Sequence, residues 1–299
     1  MISVPAPAKL NLYLHVTGKR DDGYHLLDSL VAFADVHDTV SVEPASDLSL
    51  INTGPFGDGL ANDQSNLVLR TASQLREMTG TFAGARITLN KRLPIASGIG
   101  GGSADAAATI KALARLWAIH PGQVDLSGLA LGLGADVPVC LFGKAVFMGG
   151  IGEQLDPIAD LPNAPMIMVN PGVSVSTPSV FKARTGPFSS VRRFADPPET
   201  LKQLITLLQG NRRNDLMAAA MTLEPMIGQT LQRIEASSGC LFARMSGSGA
   251  TCFGFYQTME DAEAAVENIL TEQPLWWAVV THLVSDTRAI SVGATEPPT

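Results

Sequence analysis

The segment Pro94-Ile95-Ala96-Ser97-Gly98-Ile99-Gly100-Gly101-Gly102-Ser103-Ala104 carries four glycines within five positions. Glycine loses more backbone freedom on folding than any other residue, so such a run is costly to order. The cost is justified where backbone N–H groups must close on a ligand with no Cβ in the way. The alanine-rich stretch that follows predicts a helix over about 103–119. Its free N-terminal N–H groups and partial positive charge would face the end of the loop. Loop and helix together make an anion cradle suited to the phosphates of a nucleotide. A flexible linker or a glycine-tolerant tight turn is the ordinary alternative. Two better-known phosphate loops do not fit. No Lys follows the glycines, as a Walker loop requires, and Ser103 stands where a dinucleotide fingerprint starting at Gly98 needs glycine.

The elements around this loop read as mixed α and β. Strand-like stretches cover 10–16 and 39–42, and 85–90 alternates apolar and polar as a half-buried strand does. Ser65 is expected to cap a helix that ends before Gly80. A short helix is expected over 126–133. Beyond the Pro/Asp-rich stretch 156–165, the best candidate for a domain boundary, strands are expected at 165–169, 241–245, 251–256 and 276–283. Helices are expected at 201–208 and 261–270, and at 215–236 with a break or bend at Pro225. The organisation expected is thus an N-terminal domain over 1–158, a C-terminal domain over 159–290 and a loose tail over 291–299.

Composition narrows the functional classes. The chain has 299 residues, 45% hydrophobic and 16% charged, which describes a globular protein with a substantial core. A net charge of -7 with no basic stripe argues against a nucleic-acid surface, so bound phosphate must be held by local geometry. Three dispersed cysteines form no C-x-x-C pair and suggest buried thiols rather than disulfides or zinc. With no run of about 18 apolar residues and no leader-like start, the expectation is a cytoplasmic protein with a small-molecule substrate and no membrane partner.

The glycine loop, in its Pro-x-x-x-Gly-x-Gly-Gly-Gly-Ser-Ala context, resembles the second motif of the GHMP kinases. Ala6-Pro7-Ala8-Lys9-Leu10-Asn11-Leu12 looks like their first motif, and Arg244-Met245-Ser246-Gly247-Ser248-Gly249-Ala250-Thr251 like their third. Arg20-x-x-Gly23-Tyr24-His25, Gly134-Ala135-Asp136-Val137-Pro138 and Pro171 to Pro178 narrow the resemblance to the branch acting on a cytidyl-linked polyol. It spans about residues 5 to 285. One departure is that Ser103 is followed by Ala104, where such kinases usually carry a second small hydroxyl residue.

The resemblance implies a two-domain α+β GHMP kinase fold with its active site in the inter-domain cleft. It implies ATP as phosphoryl donor to the 2-hydroxyl of 4-diphosphocytidyl-2-C-methyl-D-erythritol, in the non-mevalonate route to isoprenoid precursors. Asp136 is then the base for the hydroxyl proton, and Lys9 pairs with it and offsets charge on the transferring group. Residues 94–104 would hold ATP, with Mg2+ carried on the nucleotide phosphates and Ser103 as the one side chain offered to it. Asn11, Tyr24, His25, Thr177 and Phe181 would bind the acceptor, His25 at the pyrimidine edge and Tyr24 and Phe181 on the faces of the cytosine. Lys9 and Asn11 are two apart, so on a strand they share one side. The rival readings are another GHMP kinase of homoserine or mevalonate type, which has no need of Tyr24 and His25, and a nucleotide-binding module without catalysis, which has no need of a base.

Overall fold

From Leu10 to Leu14 every residue but Asn11 is apolar, and such a run fits a strand covered on both faces. In the computed structural model, which describes residues 1–120 and 122–292, that run sits inside a far longer strand than the sequence suggests. The order begins β1 (Ile2–Lys19), β2 (His25–Ala45), β3 (Leu48–Thr53), α1 (Leu67–Thr79), β4 (Gly84–Asn90), α2 (Gly101–Leu116), α3 (Leu126–Leu133) and α4 (Val137–Phe142). It continues β5 (Val146–Gly150), β6 (Gln154–Pro157), β7 (Pro165–Asn170), α5 (Thr177–Ala183), α6 (Leu201–Gln209) and α7 (Met217–Leu223). It closes with α8 (Met226–Ala236), β8 (Cys240–Met245), β9 (Cys252–Tyr256), α9 (Met259–Glu272) and β10 (Trp277–Val284).

β2 is the hub of the fold, pairing with β1, β4, β5 and β10. The strand path runs β3-β4-β2-β10-β7-β9-β8, so the first half joins the second through two residue pairs, Leu283 with Ala34 and Val284 with Phe33. The expected boundary near 158 falls in the connection between β6 and β7. β1 pairs antiparallel with β2 only, and such an edge position tolerates Pro5 and Pro7. Bulges interrupt its register at Pro7/Lys9 and Asn11/Tyr13. Between them Lys9, Leu10 and Asn11 oppose Phe33, Ala32 and Val31 in regular register, which keeps Lys9 and Asn11 on one face.

Three apolar clusters hold these layers. One packs the alanine face of α2, with Leu75 of α1, against Phe33, Val40, Ile87 and Leu89. A second joins Leu10, Leu12 and Leu30 of the first half to Met166, Phe253 and Phe255 of the second. The third lies under α8 and α9, around Ile167, Ile234 and Tyr256.

Several local expectations need correction. Asn66, not Ser65, caps α1, its Oδ1 accepting from the N–H of Val68 at 2.9 Å, while Gly80 ends the helix in the left-handed region as read. α2 starts at Gly101 rather than Ser103, with Gly100 as the cap at φ +64. β5 and β6 had no expectation, because Gly149 and Gly150 leave little strand pattern to read. Pro225 does divide the 215–236 stretch, into α7 and α8. Of the expected tail, residues 293–299 lie outside the described residues, as does Pro121.

Candidate active site

Lys9 is 2% exposed. An ammonium so deeply placed must find acceptors, because burying an unpaired charge is very costly. Its Nζ donates to Oδ1 of Asn11 at 2.8 Å and lies 3.0 Å from Oδ2 of Asp136. Asp136 caps α4 without using its side chain on the helix, so the carboxylate is left to face Lys9. Asp136 stands just beyond the helix expected over 126–133, which is α3. It lies in the turn between α3 and α4, and Pro138 in the first turn of α4 stiffens that turn.

The glycine loop passes directly over this pair. The backbone N–H of Lys9 donates to the carbonyl of Ile99 at 2.8 Å. Gly98, at φ +78, lies so near the third glycine segment that a Cβ there would come within 2.4 Å of the carbonyl oxygen of Gly249. Ser246 Oγ donates to the Gly98 carbonyl at 3.2 Å, and the N–H of Thr251 to the Ser97 carbonyl at 3.0 Å. The two glycine-rich segments, distant in sequence, thus form one backbone-lined wall at the N-terminus of α2.

A cleft of about 1580 Å³ opens in front of this wall. Lys9, Asn11, Asp136 and residues 94–98 and 100–103 line it, as do Tyr24, His25, Thr177 and Phe181. Ile99 and Ala104 of the expected loop do not: Ile99 packs in the second apolar cluster, and Ala104, within α2, in the first. At the far end the rings of His25 and Phe181 stack, centroids 4.8 Å apart and planes 22° from parallel. Tyr24 is 58% exposed in the turn preceding β2. Partial burial, then the charges of Lys19 and Arg184, hold the His25 pKa below its ordinary 6.5. Thr177 at the start of α5 shares a 2.7 Å hydrogen bond with Ser248.

A buried ionic cluster behind the loop escaped the sequence reading. Lys91 Nζ donates to Asp38 at 2.6 Å and to Asp105 at 2.5 Å, and all three residues are at most 3% exposed. Oδ1 of Asp38 also accepts from the N–H groups of Arg92 and Leu93, at 2.5 and 2.8 Å. The cluster ties β2 to the entry of the glycine loop and to the first turn of α2. Burial by itself would depress the Lys91 ammonium, but Asp105 and Asp38 together outweigh it and push the pKa up to about 12. Burial, with the neighbouring Asp38 carboxylate, pushes Asp105 well above the usual carboxylate range against the pull of Lys91. The signal available in the sequence was charge in apolar runs, Asp105 among alanines above all.

Among the described residues no three His, Cys, Asp or Glu side chains come together as a metal-holding group, and no helix is long and apolar enough to cross a membrane. The geometry can hold a polyphosphate against backbone N–H groups and present a carboxylate and an ammonium to a hydroxyl beside it.

Comparison with known proteins agrees with this chemistry. Residues 66–144 match the model of the GHMP kinases N terminal domain, and 195–274 that of the GHMP kinases C terminal. The chain is 52% identical over 283 residues to a 4-diphosphocytidyl-2-C-methyl-D-erythritol kinase of Paramagnetospirillum magneticum, covering 95% of this chain and 99% of the relative. It is 53% identical to the protein of that name from Cereibacter sphaeroides, with 93% and 98% covered. A crystal structure of 4-(cytidine 5'-diphospho)-2C-methyl-D-erythritol kinase superposes with a TM-score of 0.77 at 36% identity, covering 95% of this chain and 99% of the other. A homoserine kinase from Cytophaga hutchinsonii shares the fold at a TM-score of 0.66 and 19% identity.

Proposed function

The chain belongs to the GHMP kinases, in the group of the 4-diphosphocytidyl-2-C-methyl-D-erythritol kinases, and we propose that it transfers the γ-phosphate of ATP to the 2-hydroxyl of that group's named substrate. The observation that carries this reading furthest is the Lys9–Asp136 pair, 3.0 Å apart at the mouth of the glycine loop.

Phosphoryl transfer asks the protein mainly for alignment and for charge stabilisation. The backbone N–H groups of the cleft-lining loop residues 95–98 and 100–103 hold the nucleotide phosphates. Asp136 accepts the proton of the acceptor hydroxyl as its oxygen attacks the γ-phosphorus. The bond from that phosphorus to the bridging oxygen breaks, and ADP leaves. Lys9 holds Asp136 turned toward the acceptor, and offsets negative charge on the transferring group. Asn11 orients Lys9 from the same face of β1.

The donor set fits a magnesium ion carried on the nucleotide, since the cleft offers Ser103 and Asp136 but no acidic cage, and Asp105 is committed to Lys91. When bound, that ion would neutralise charge on the β- and γ-phosphates. At the other end of the cleft His25 and Phe181 lie together where the cytosine would sit, Phe181 offering a ring face and His25 its ring nitrogens. Tyr24, exposed in its turn, closes on the opposite face. A cytoplasmic setting belongs to this reading, and the three unpaired cysteines, two of them buried, agree with it. The test is acceptor-dependent ADP release. Turnover with the cytidyl acceptor supports the assignment, and its absence with ATP bound removes it.

A further inference from the structure

Ser29, on β2, is fully buried and does not line the cleft. Its Oγ lies 2.5 Å from the carbonyl oxygen of Tyr13 and 2.8 Å from Nδ2 of Asn11. A serine hydroxyl has one proton to give, and a carbonyl can only accept. The proton therefore goes to Tyr13, and toward Asn11 the Ser29 oxygen is an acceptor and nothing else. The Asn11 amide must turn its NH2 to Ser29, which aims Oδ1 at Lys9 Nζ, 2.8 Å away. An ammonium carries donors only, so this is the one amide orientation that satisfies both neighbours. With the amide reversed, NH2 would face the ammonium and two acceptors would face each other, all inside a buried site. The backbone of Asn11 is held separately, its N–H donating to Ser246 Oγ at 3.2 Å. The side-chain orientation thus depends on Ser29 alone among the groups bonded to Nδ2.

We propose that Ser29 is a positioning residue for phosphoryl transfer: through Asn11 it sets which way the amide faces, and so holds the Lys9 ammonium beside Asp136. The inference rests on Lys9 and Asp136 being the catalytic pair. Ser29 touches neither ATP nor acceptor, so its removal should lower kcat and leave ATP affinity alone. Without the acceptor at Ser29 the amide is held at its Oδ1 end only, and Lys9 loses a fixed partner.

The experiment compares Ser29→Ala, Asn11→Ala and the double variant with wild type, on whichever acceptor wild type phosphorylates. Readouts are kcat, KM for each substrate and ATP affinity by calorimetry. Loss of one buried orienting hydrogen bond predicts a fall in kcat of roughly five- to 150-fold for Ser29→Ala. ATP affinity should be unchanged, and Ser29→Thr, which keeps the hydroxyl, should recover most of the rate. Because Ser29 acts through Asn11, the double variant should be no slower than Asn11→Ala alone. Ser29→Cys, a weaker acceptor of similar shape, carries the same comparison if Ser29→Ala fails to fold. Near wild-type kcat in Ser29→Ala, or losses that multiply in the double variant, would overturn the proposal alone. A folded, ATP-binding wild type inactive on every hydroxyl acceptor would overturn the kinase reading and this proposal with it.

Discussion

A Cβ built on Gly100 would come within 3.2 Å of both Cβ and Cε of Lys9. The glycine loop and the Lys9 side-chain stem are therefore in contact at a position where an added Cβ would force one of them to shift, and where φ is +64 as well. Gly100→Ala is expected to combine left-handed strain with displacement of Lys9. Steady-state kinetics should show a raised KM for ATP together with a lowered kcat. A change in KM alone would mean that the loop and Lys9 are not coupled. Gly101, the third glycine of the expected cradle, differs: it is the first residue of α2 with no positive φ, and a Cβ there would meet the flexible end of Lys91 at 3.2 Å.

Asp136→Asn keeps the shape of the side chain and removes its basicity. Loss of a general base costs about two to four orders of magnitude in turnover. ATP binding by calorimetry should stay close to wild type, since the carboxylate faces Lys9 and not the phosphate wall. Near wild-type turnover would take Asp136 out of the mechanism.

Lys91→Met leaves Asp38 and Asp105 buried without their cation. Breaking a buried ion pair from one side costs about 3–5 kcal/mol, so a marked drop in thermal or denaturant stability is expected. The wild-type contribution has a defined pH window. The Lys91 pKa is raised, so its stabilisation is complete below the ordinary 10.5 and fades as pH rises through about 12. Unchanged denaturant midpoints in the variant would show that the cluster carries no stability.

How much of this was legible in the sequence depends on whether a feature was local. The glycine loop, the α2 helix and the Pro225 break follow from residue type and near spacing, and they stand close to where they were read. Residue-by-residue alternation underestimated β1 and β2, because strands buried on both faces do not alternate. The stack of His25 on Phe181 could not be read, since it joins the first residue of β2 to a helix in the other half of the chain. The Lys91 cluster has the same character, gathering side chains from β2, the end of β4 and α2. Ser65 and Asn66 are both good cap residues, and only the backbone decides between them.

His25 offers a pH test. Its pKa is held below 6.5, so the ring is neutral at pH 7 and gains charge only as pH falls beneath that ordinary value. If the neutral ring meets the cytosine edge, KM for the acceptor should rise as pH falls below the ordinary 6.5, while KM for ATP follows a separate course. His25→Ala should flatten that acidic rise. An acceptor KM with the same acidic limb in the variant would remove His25 from recognition.

The assignment as a whole turns on why a kinase would grip a group far from the reacting hydroxyl. Binding energy from the cytidyl end can hold the hydroxyl in line with the γ-phosphate, so losing it should impair turnover as well as affinity. The most direct measurement is kcat/KM for 4-diphosphocytidyl-2-C-methyl-D-erythritol against 2-C-methyl-D-erythritol 4-phosphate, with mevalonate, homoserine and galactose alongside, all read as ADP release. The account predicts a strong preference for the cytidyl acceptor, with both kcat and KM impaired when the nucleotide is missing. Equal activity without the cytidyl group, or better activity on mevalonate or homoserine, would contradict it.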